Sequence, residues 1–450
     1  MSGNRDLFGS KFGIIAAAAG SAIGLGNIWR FPYVLGQNGG AAFLLLYLFF
    51  IFAIGIPVML SEFVIGRHSQ SNPYQAFKTL KPGKKWYLIG VMGIAAAFMI
   101  SAFYGAAAGW TIEYLVKAVT NQFAGSSPVQ FENEFYNFRD SSLRAVLWQV
   151  LFMILTASIV LAGVKKGIEK YTKILMPLLL VIIIVLNIKA LSLPGAGEGL
   201  KFLFQPDFSK ITTRTILDAL GQAFFSLSIG MGTLITYGSY ISKKDNLANS
   251  AVIVSMADTA IAILAGIAIF PAVFAFNIAP GAGEGLVFIT LPNIFQQMTG
   301  GYFFSVLFFL LLTVAALTSS ISIMEVVVAF MVENLNMTRT NATIFTTIGI
   351  SYLGTLCAMS WGGFKDFQIG QFNFFSLLDF TSSSILLPLG GMFIALFVGW
   401  FFPKKHVIEE LTNRGELKAG YQRIFFFLLK FVAPWAIALV FLRGVGFLNF

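Results

Sequence analysis

The chain of 450 residues is 57% hydrophobic and only 11% charged, carries 49 phenylalanines and has a mean hydropathy of +0.80. Such a composition excludes a soluble domain and describes a polytopic all-α membrane protein, because in lipid a chain must satisfy its backbone groups within its own helices. The net charge of +10 needs no nucleic-acid partner: spread over loops, it is a topology signal with some affinity for anionic membrane lipid.

In chain order, apolar stretches long enough to span run over residues 11–36, 41–66, 86–119, 143–162, 171–191, 215–240, 251–276, 302–331, 342–361, 374–402 and 425–447. The expectation is therefore eleven transmembrane helices in one domain, 1–450. The polar start of the chain holds no short apolar core followed by a cleavage site, so the first span is expected to be retained. With the N-terminus cytoplasmic, most of the Lys and Arg fall on inner segments, and the C-terminus falls outside. The lone cysteine, Cys357, lies in an apolar run and supports neither an intramolecular disulfide nor a thiol metal cluster.

Residues 20–32, from Gly20 to Pro32, interrupt the first stretch with Gly24, Gly26 and Asn27 where a plain span would carry leucine. Glycine costs about 1 kcal/mol per residue against alanine in a helix, and unpaired backbone in hydrocarbon costs several kcal/mol per group. A break here is tolerated only where it is buried in protein or lines a polar cavity. The pattern Ala22-Ile23-Gly24-Leu25-Gly26-Asn27 returns as Ser228-Ile229-Gly230-Met231-Gly232-Thr233 near the centre of the sixth stretch. Glycine breaks at matching places in two halves point to a transporter's binding site at the membrane midplane.

Two loops repeat the sequence Pro-Gly-Ala-Gly-Glu-Gly-Leu, one beginning at Pro194 and the other at Pro280. Neither has the Lys-Ser/Thr ending of a phosphate-binding loop. They are expected as turns that fold the external segments over the outer mouth. Asn336 and Asn341 begin glycosylation triplets, but both fall on the expected inner side.

Three segments carry a family resemblance: 20–32; Phe225 to Gly232 with Thr236 to Tyr240; and Leu317-Thr318-Ser319-Ser320-Ile321-Ser322-Ile323. In this order they resemble the neurotransmitter:sodium symporters, and most closely the bacterial amino-acid transporters of that family. The resemblance covers nearly the whole chain. It implies two inverted five-helix repeats, 11–191 and 215–402, with unwound first and sixth helices, and an eleventh helix, 425–447, outside them. Many relatives have a twelfth helix that is missing here, so the resemblance leaves the oligomeric state open.

The resemblance also implies two sodium sites, and a hard cation with oxygen ligands suits unwound helices. One would use the Ala22 carbonyl, Asn27, Ser226, Asp258 and the substrate's carboxylate. The other would use the carbonyls of Gly20, Ile23 and Ala315 with the hydroxyls of Thr318 and Ser319. The amides around Leu25 and Gly26 and the Tyr104 hydroxyl would clamp the carboxylate, while carbonyls near Phe225 and Ser228 would take the amino group. Ile100, Phe225, Met231, Ser319 and Ile323 would surround the substrate side chain, with Ala22 and Ser226 bordering both ion and substrate. Taken alone, each Ser or Thr could merely bond to its own helix, and each aliphatic residue could merely be core.

Charges within or beside the spans also match family roles. Arg30 and Asp379 match an outer gate pair closing over Phe225 and Tyr104. Arg5 and Glu333 match an inner pair with Tyr240 beside them, for which an ordinary interfacial ion pair is the plain alternative. Glu62 matches an acid bonded to the unwound part of the sixth span, and Lys430 is read as reaching out to the surface. Asp258 is the one charge in the substrate shell and is assigned to sodium, so the substrate is a neutral amino acid. Because Asp258 supplies a negative charge beside the first sodium, chloride is not required. Gly24 is read as leaving room beside that sodium.

The expected function is sodium-coupled symport of a hydrophobic or aromatic amino acid across the bacterial inner membrane. An amino-acid sensor without net transport is the alternative, and gate pairs on both sides argue against it. No ring of like charges suggests a channel. The two histidines, His68 and His406, sit in inner loops far from the break, so an enzyme is not expected.

Overall fold

The structure, a computed structural model, describes residues 7–276 and 285–448. Among these residues the fold is helical, with one isolated bridge, Ile369 to Phe372, outside the helices.

Among the described residues eight helices are long and apolar enough to cross a membrane: Ala41–Ser69, Tyr87–Val119, Ser142–Leu161, Val164–Leu191, Leu247–Ala275, Gly301–Asn334, Phe374–Phe401 and Gln422–Gly444. A ninth crossing is a bent pair, Lys11–Ala22 and Gly26–Gln37, that turns by 52°. Eleven spans were expected, and the other two stretches fall short for different reasons. The stretch 215–240 is divided into Thr213–Ser226 and Thr233–Gly238, each too short to span. The stretch 342–361 forms the helix Arg339–Ala358, whose many threonines dilute its apolar character.

Both breaks follow from local chemistry. The first helix begins at Ser10, whose side chain accepts from the Gly13 amide, and it ends where Ile23 turns extended at φ −76° and ψ 102°. In the sixth stretch Gly230 and Gly232 take φ of +87° and +79°, values that favour glycine, and even Ser228 is left-handed at +54°. A methyl group on Gly230 would run into the Leu387 carbonyl, so the unwound strand lies directly against the helix Phe374–Phe401.

Small residues let the long helices approach. Gly105 and Gly109 on Tyr87–Val119 face Met153 and Gln149 of Ser142–Leu161, and a Cβ at Gly109 would stand 2.8 Å from the Gln149 amide nitrogen. This is the close packing that membrane helices use in place of a hydrophobic driving force. Gly301–Asn334 packs along Tyr87–Val119 and also against Lys11–Ala22 and Thr233–Gly238, one half of each broken helix.

The first of the repeated loops is more than a turn. Gly195 turns at φ +86°, and Ala196 to Phe204 then forms a helix whose Gly199 lies against Pro271. Residues 280–284 of the second copy lie outside the described residues. Lys430, read as reaching for the surface, holds its ammonium 4.6 Å over the Trp400 ring.

Candidate functional site

The break in the first helix exposes the backbone of Ile23, Gly24 and Leu25 at the centre of the molecule. Gly24 donates its amide to Asn27 Oδ1 at 3.1 Å, so Asn27 holds the turn from inside. Its other end, Nδ2, donates to Asp258 Oδ1 at 2.7 Å, the Asp258 carbonyl at 3.1 Å and Ser226 Oγ at 3.3 Å. Ser226 donates to Asp258 Oδ2 at 2.7 Å. Three of the residues expected at one ion site, from three different stretches, thus meet in a buried polar cluster. Tyr47 joins them, its hydroxyl 3.3 Å from Ser226 Oγ and 3.4 Å from Asp258 Oδ2. Sequence reasoning passed over Tyr47 because a tyrosine within an apolar stretch reads as packing. Gln222 was also missed; it approaches the Gly26 carbonyl from one turn before Ser226.

The second expected ion site is equally compact. Ser319 Oγ lies 3.2 Å from both the Gly20 and Ile23 carbonyls. Thr318 Oγ1 lies 3.0 Å from the Ala315 carbonyl and 3.5 Å from that of Ile23. Five oxygens from the broken helix and Gly301–Asn334 thus lie together, and oxygen donors are what hard cations take.

Beside these clusters, the Leu25 amide points to the Tyr104 hydroxyl at 3.3 Å. Ser228 donates to the Ser21 carbonyl at 3.1 Å, which ties the unwound sixth stretch to the end of the first half-helix. A methyl group on Gly26 would come 3.3 Å from the Phe225 ring. Ile100, Met231 and Ile323 are buried in the surrounding core, as is Ala22. The space beside Gly24 is not free, contrary to expectation: a Cβ there would be 2.9 Å from the Tyr104 hydroxyl and would collide with Ser319 Oγ.

Glu62 lies where the sequence suggested. Its Oε1 accepts the Gly230 amide at 2.7 Å, giving a partner to backbone that no helix satisfies.

At one mouth the Arg30 guanidinium lies 4.1 Å over the Phe225 ring. Among the described residues no ion pair joins Arg30 to Asp379, whose Oδ1 accepts from Ser383 at 2.8 Å. Arg30 and Phe225 border a cavity of about 230 Å³ that also reaches Asp218 and Arg443, themselves paired at 2.6 Å.

At the opposite mouth, Arg5 lies outside the described residues. Glu333 accepts from the Asn72 amide and side chain at 2.9 and 2.8 Å. The Tyr240 hydroxyl donates to Glu325 at 2.8 Å, and Glu325, fully buried, pairs with Arg339 at 2.6 Å. Phe8 packs edge-on against Tyr237 and Tyr240, while the Gly9 amide and Ser10 hydroxyl bond to Glu169 at 2.7 and 3.0 Å. Glu325, Arg339 and Glu169 were all missed; which distant group each one meets is set by how separate segments pack and not by its neighbours in sequence.

Comparison with known proteins gives a consistent result. The family model described as the sodium:neurotransmitter symporter family matches residues 5–139 and 130–448. The sodium-dependent transporter YhdH of Bacillus subtilis strain 168 is 38% identical over 441 residues, covering 98% of each chain. A sodium-dependent transporter of Haemophilus influenzae is 39% identical over 452 residues, again covering 98% of each. Among solved structures, that of MhsT in complex with L-phenylalanine superposes with a TM-score of 0.90 at 48% identity, covering 98% of this chain and all of that one.

Proposed function

The chain belongs to the sodium:neurotransmitter symporter family, which comprises transporters rather than enzymes, and on that premise we propose how this member works. It is a sodium-coupled symporter of the membrane, and its cargo is a neutral amino acid with a hydrophobic or aromatic side chain. Two sodium ions travel with it. The first is held by the Ala22 carbonyl, Asn27, Ser226, Asp258 and the substrate carboxylate; the second by the carbonyls of Gly20, Ile23 and Ala315 with Thr318 and Ser319. The substrate carboxylate is also met by the Leu25 and Gly26 amides and Tyr104. Carbonyls around Phe225 and Ser228 receive its amino group, and Ile100, Met231 and Ile323 line its side chain.

Sharing the carboxylate makes ion and substrate complete each other's sites. That is a coupling free energy, reciprocal between the two, and it is what lets a sodium gradient drive uptake. Eleven spans form two inverted repeats and one further helix, with the N-terminus cytoplasmic and the bacterial inner membrane as location. Spans one, two, six and seven rock against the rest. Arg30 with Asp379 gates the outer side, and Glu333 and Tyr240 lie at the inner gate with Arg5. Chloride is not needed, because Asp258 supplies the charge beside the first ion.

The observation that carries this reading is the meeting of Asn27, Ser226 and Asp258 at the two breaks, with bonds of 2.7 to 3.3 Å. The amino-acid class is supported by the 48% identical MhsT, solved with L-phenylalanine. The test is uptake of labelled phenylalanine or leucine by proteoliposomes. Accumulation that requires an inward sodium gradient, together with counterflow, is expected. Saturable binding without counterflow would overturn the reading.

A further inference from the structure

Away from the central site, a buried ionic junction joins three segments on the side of the molecule that Phe8 covers. Arg67 and His68 end the helix Ala41–Ser69, Lys243 and Asp245 lie in the connection leading to Leu247–Ala275, and Glu410 lies on the short helix Lys404–Leu411. Arg67, with a side chain 1% exposed, donates Nε to Glu410 Oε2 at 2.7 Å. Its Nη2 bonds to the Glu410 carbonyl and to Asn413 Oδ1, and its Nη1 to the Asp245 carbonyl at 2.6 Å. Glu410 Oε1 receives Lys243 Nζ at 2.7 Å and meets His68 Nδ1 at 3.0 Å. Lys243 also bonds to the Arg67 carbonyl at 2.8 Å, and the His68 ring faces that of His406 at 5.0 Å.

The distribution of charge across this junction is one-sided. Every cationic or basic group on Glu410 comes from the second span or the six-to-seven connection, which are parts of the proposed moving bundle. The carboxylate comes from the helix joining Phe374–Phe401 to Gln422–Gly444, which lies outside it. One buried carboxylate thus joins two bodies that must shift relative to each other. Burial alone would raise the Glu410 pKa, but the bonds from His68 and Lys243 and the charge of Arg67 outweigh it and bring it down to about 2. The carboxylate is therefore ionised throughout the physiological range.

We propose that Glu410 is a positioning residue of the transport cycle: a latch that holds the second span and the six-to-seven connection against the Lys404–Leu411 helix while this side is closed, and that yields when it opens. The inference rests on the alternating-access reading above. The bonds are made while Phe8 packs edge-on against Tyr237 and Tyr240, the arrangement assigned to the closed side, so weakening them favours the state open on this side. A surplus of partners suits a latch, since they can be given up one by one.

The experiment uses the full chain in proteoliposomes with Cys357 replaced by Ala and Thr236→Cys as reporter, because Thr236 is fully buried on the inner half of the sixth stretch. Reactivity with a charged thiol reagent and sodium-driven uptake are measured for Glu410→Gln, Glu410→Asp and Lys243→Gln. Glu410→Gln is expected to raise the labelling rate roughly fivefold or more and to change KM and the maximal rate unequally. Lys243→Gln should do the same to a smaller degree, and Glu410→Asp should restore much of the parent behaviour. If Glu410→Gln does not fold, Lys243→Gln decides alone, because Lys243 is partly exposed at 46%. Parent-like labelling in the folded variants, with an active parent, would overturn the latch. An inactive parent would overturn the transport reading instead.

Discussion

The side-chain amide of Asn27 donates to the carboxylate of Asp258 at 2.7 Å, joining the break in the first helix to the middle of Leu247–Ala275. Ser226 donates to the other oxygen of the same side chain at an equal distance, so the carboxyl group of Asp258 is held between the two unwound segments. On the proposed reading, a cation bound there would be balanced by this side chain, where chloride could otherwise serve. Wild-type uptake in chloride-free gluconate medium is therefore expected to equal that in chloride. Asp258→Ser should be impaired, and partly restored by chloride. A wild type that stops without chloride contradicts this account.

Gly24 stands between Tyr104 and Ser319, with no space for a methyl group. Gly24→Ala must push Ser319 from the Gly20 and Ile23 carbonyls or Tyr104 from the Leu25 amide. Either shift disturbs groups proposed to hold an ion or the substrate carboxylate. We expect affinity for the amino acid to fall by tenfold or more, since about 1.4 kcal/mol suffices for that. Equilibrium binding of labelled substrate to purified protein checks it. Tryptamine and tyramine, lacking a carboxylate, should fail to compete in the same assay.

Met231 is unbranched and flanked by glycines that fix the backbone only loosely in sequence, so its side chain can rearrange around bulky ligands. Leucine, tyrosine, phenylalanine and tryptophan are expected to compete better than glycine or alanine. A competition series won by the small amino acids would show a pocket closed down by other groups.

How far the sequence reached depended on how each residue stands out from its background. Gly24, Gly230 and Asn27 are legible because a membrane helix has a physical reason to avoid them. Asp258 and Glu62 are legible because an acid in an apolar stretch demands a role. Tyr47 meets Ser226 and Asp258 but reads as one more aromatic, and Arg67 and Glu410 lie at a helix end and in a connection, where charges are ordinary. Their pairing depends on how distant segments come together, which no local pattern encodes. Of the eleven expected spans, eight helices and one bent pair among the described residues are long and apolar enough to cross a membrane. The stretch 215–240 is divided between Ser226 and Thr233, where Gly230 and Gly232 had marked a break.

Glu410 also gives a stability prediction. Its folded pKa of about 2 lies below its ordinary value of 4.5, so the carboxylate favours the folded state fully above the ordinary value. That contribution is lost as pH falls through the window between the two. The melting temperature of wild type should exceed that of Glu410→Gln most clearly near neutral pH, with the gap narrowing as the medium is taken down to about pH 3. Breaking a buried pair by removing one partner costs about 3–5 kcal/mol in dry interiors, and less here because water reaches Lys243. A gap independent of pH would mean that Glu410 stabilises through packing.

The last prediction separates the acceptor function of Glu62 from its charge. Glu62 is fully buried, and its Oε1 receives the Gly230 amide at 2.7 Å in a segment where φ of +87° removes the helical partner. Glu62→Gln can keep that acceptor, because a glutamine amide oxygen can occupy the same position. Glu62→Ala leaves the amide buried without a partner, at a cost of about 1–3 kcal/mol for an unsatisfied group, and opens a gap behind the unwound strand. The cost falls on the conformation that the substrate amino group is proposed to meet, so it should appear first in substrate affinity. We therefore expect Glu62→Gln to retain sodium-driven uptake with a modest rise in KM, and Glu62→Ala to lose at least about fivefold in affinity, as 1 kcal/mol implies. Gly230→Ala should be worse than either, since its methyl group would meet the Leu387 carbonyl while also straining the backbone. Purified variants that bind leucine in the order Gln, Ala, Gly230→Ala would support a purely hydrogen-bonding role. A Glu62→Gln protein as defective as Glu62→Ala would show instead that the negative charge itself is used in the cycle.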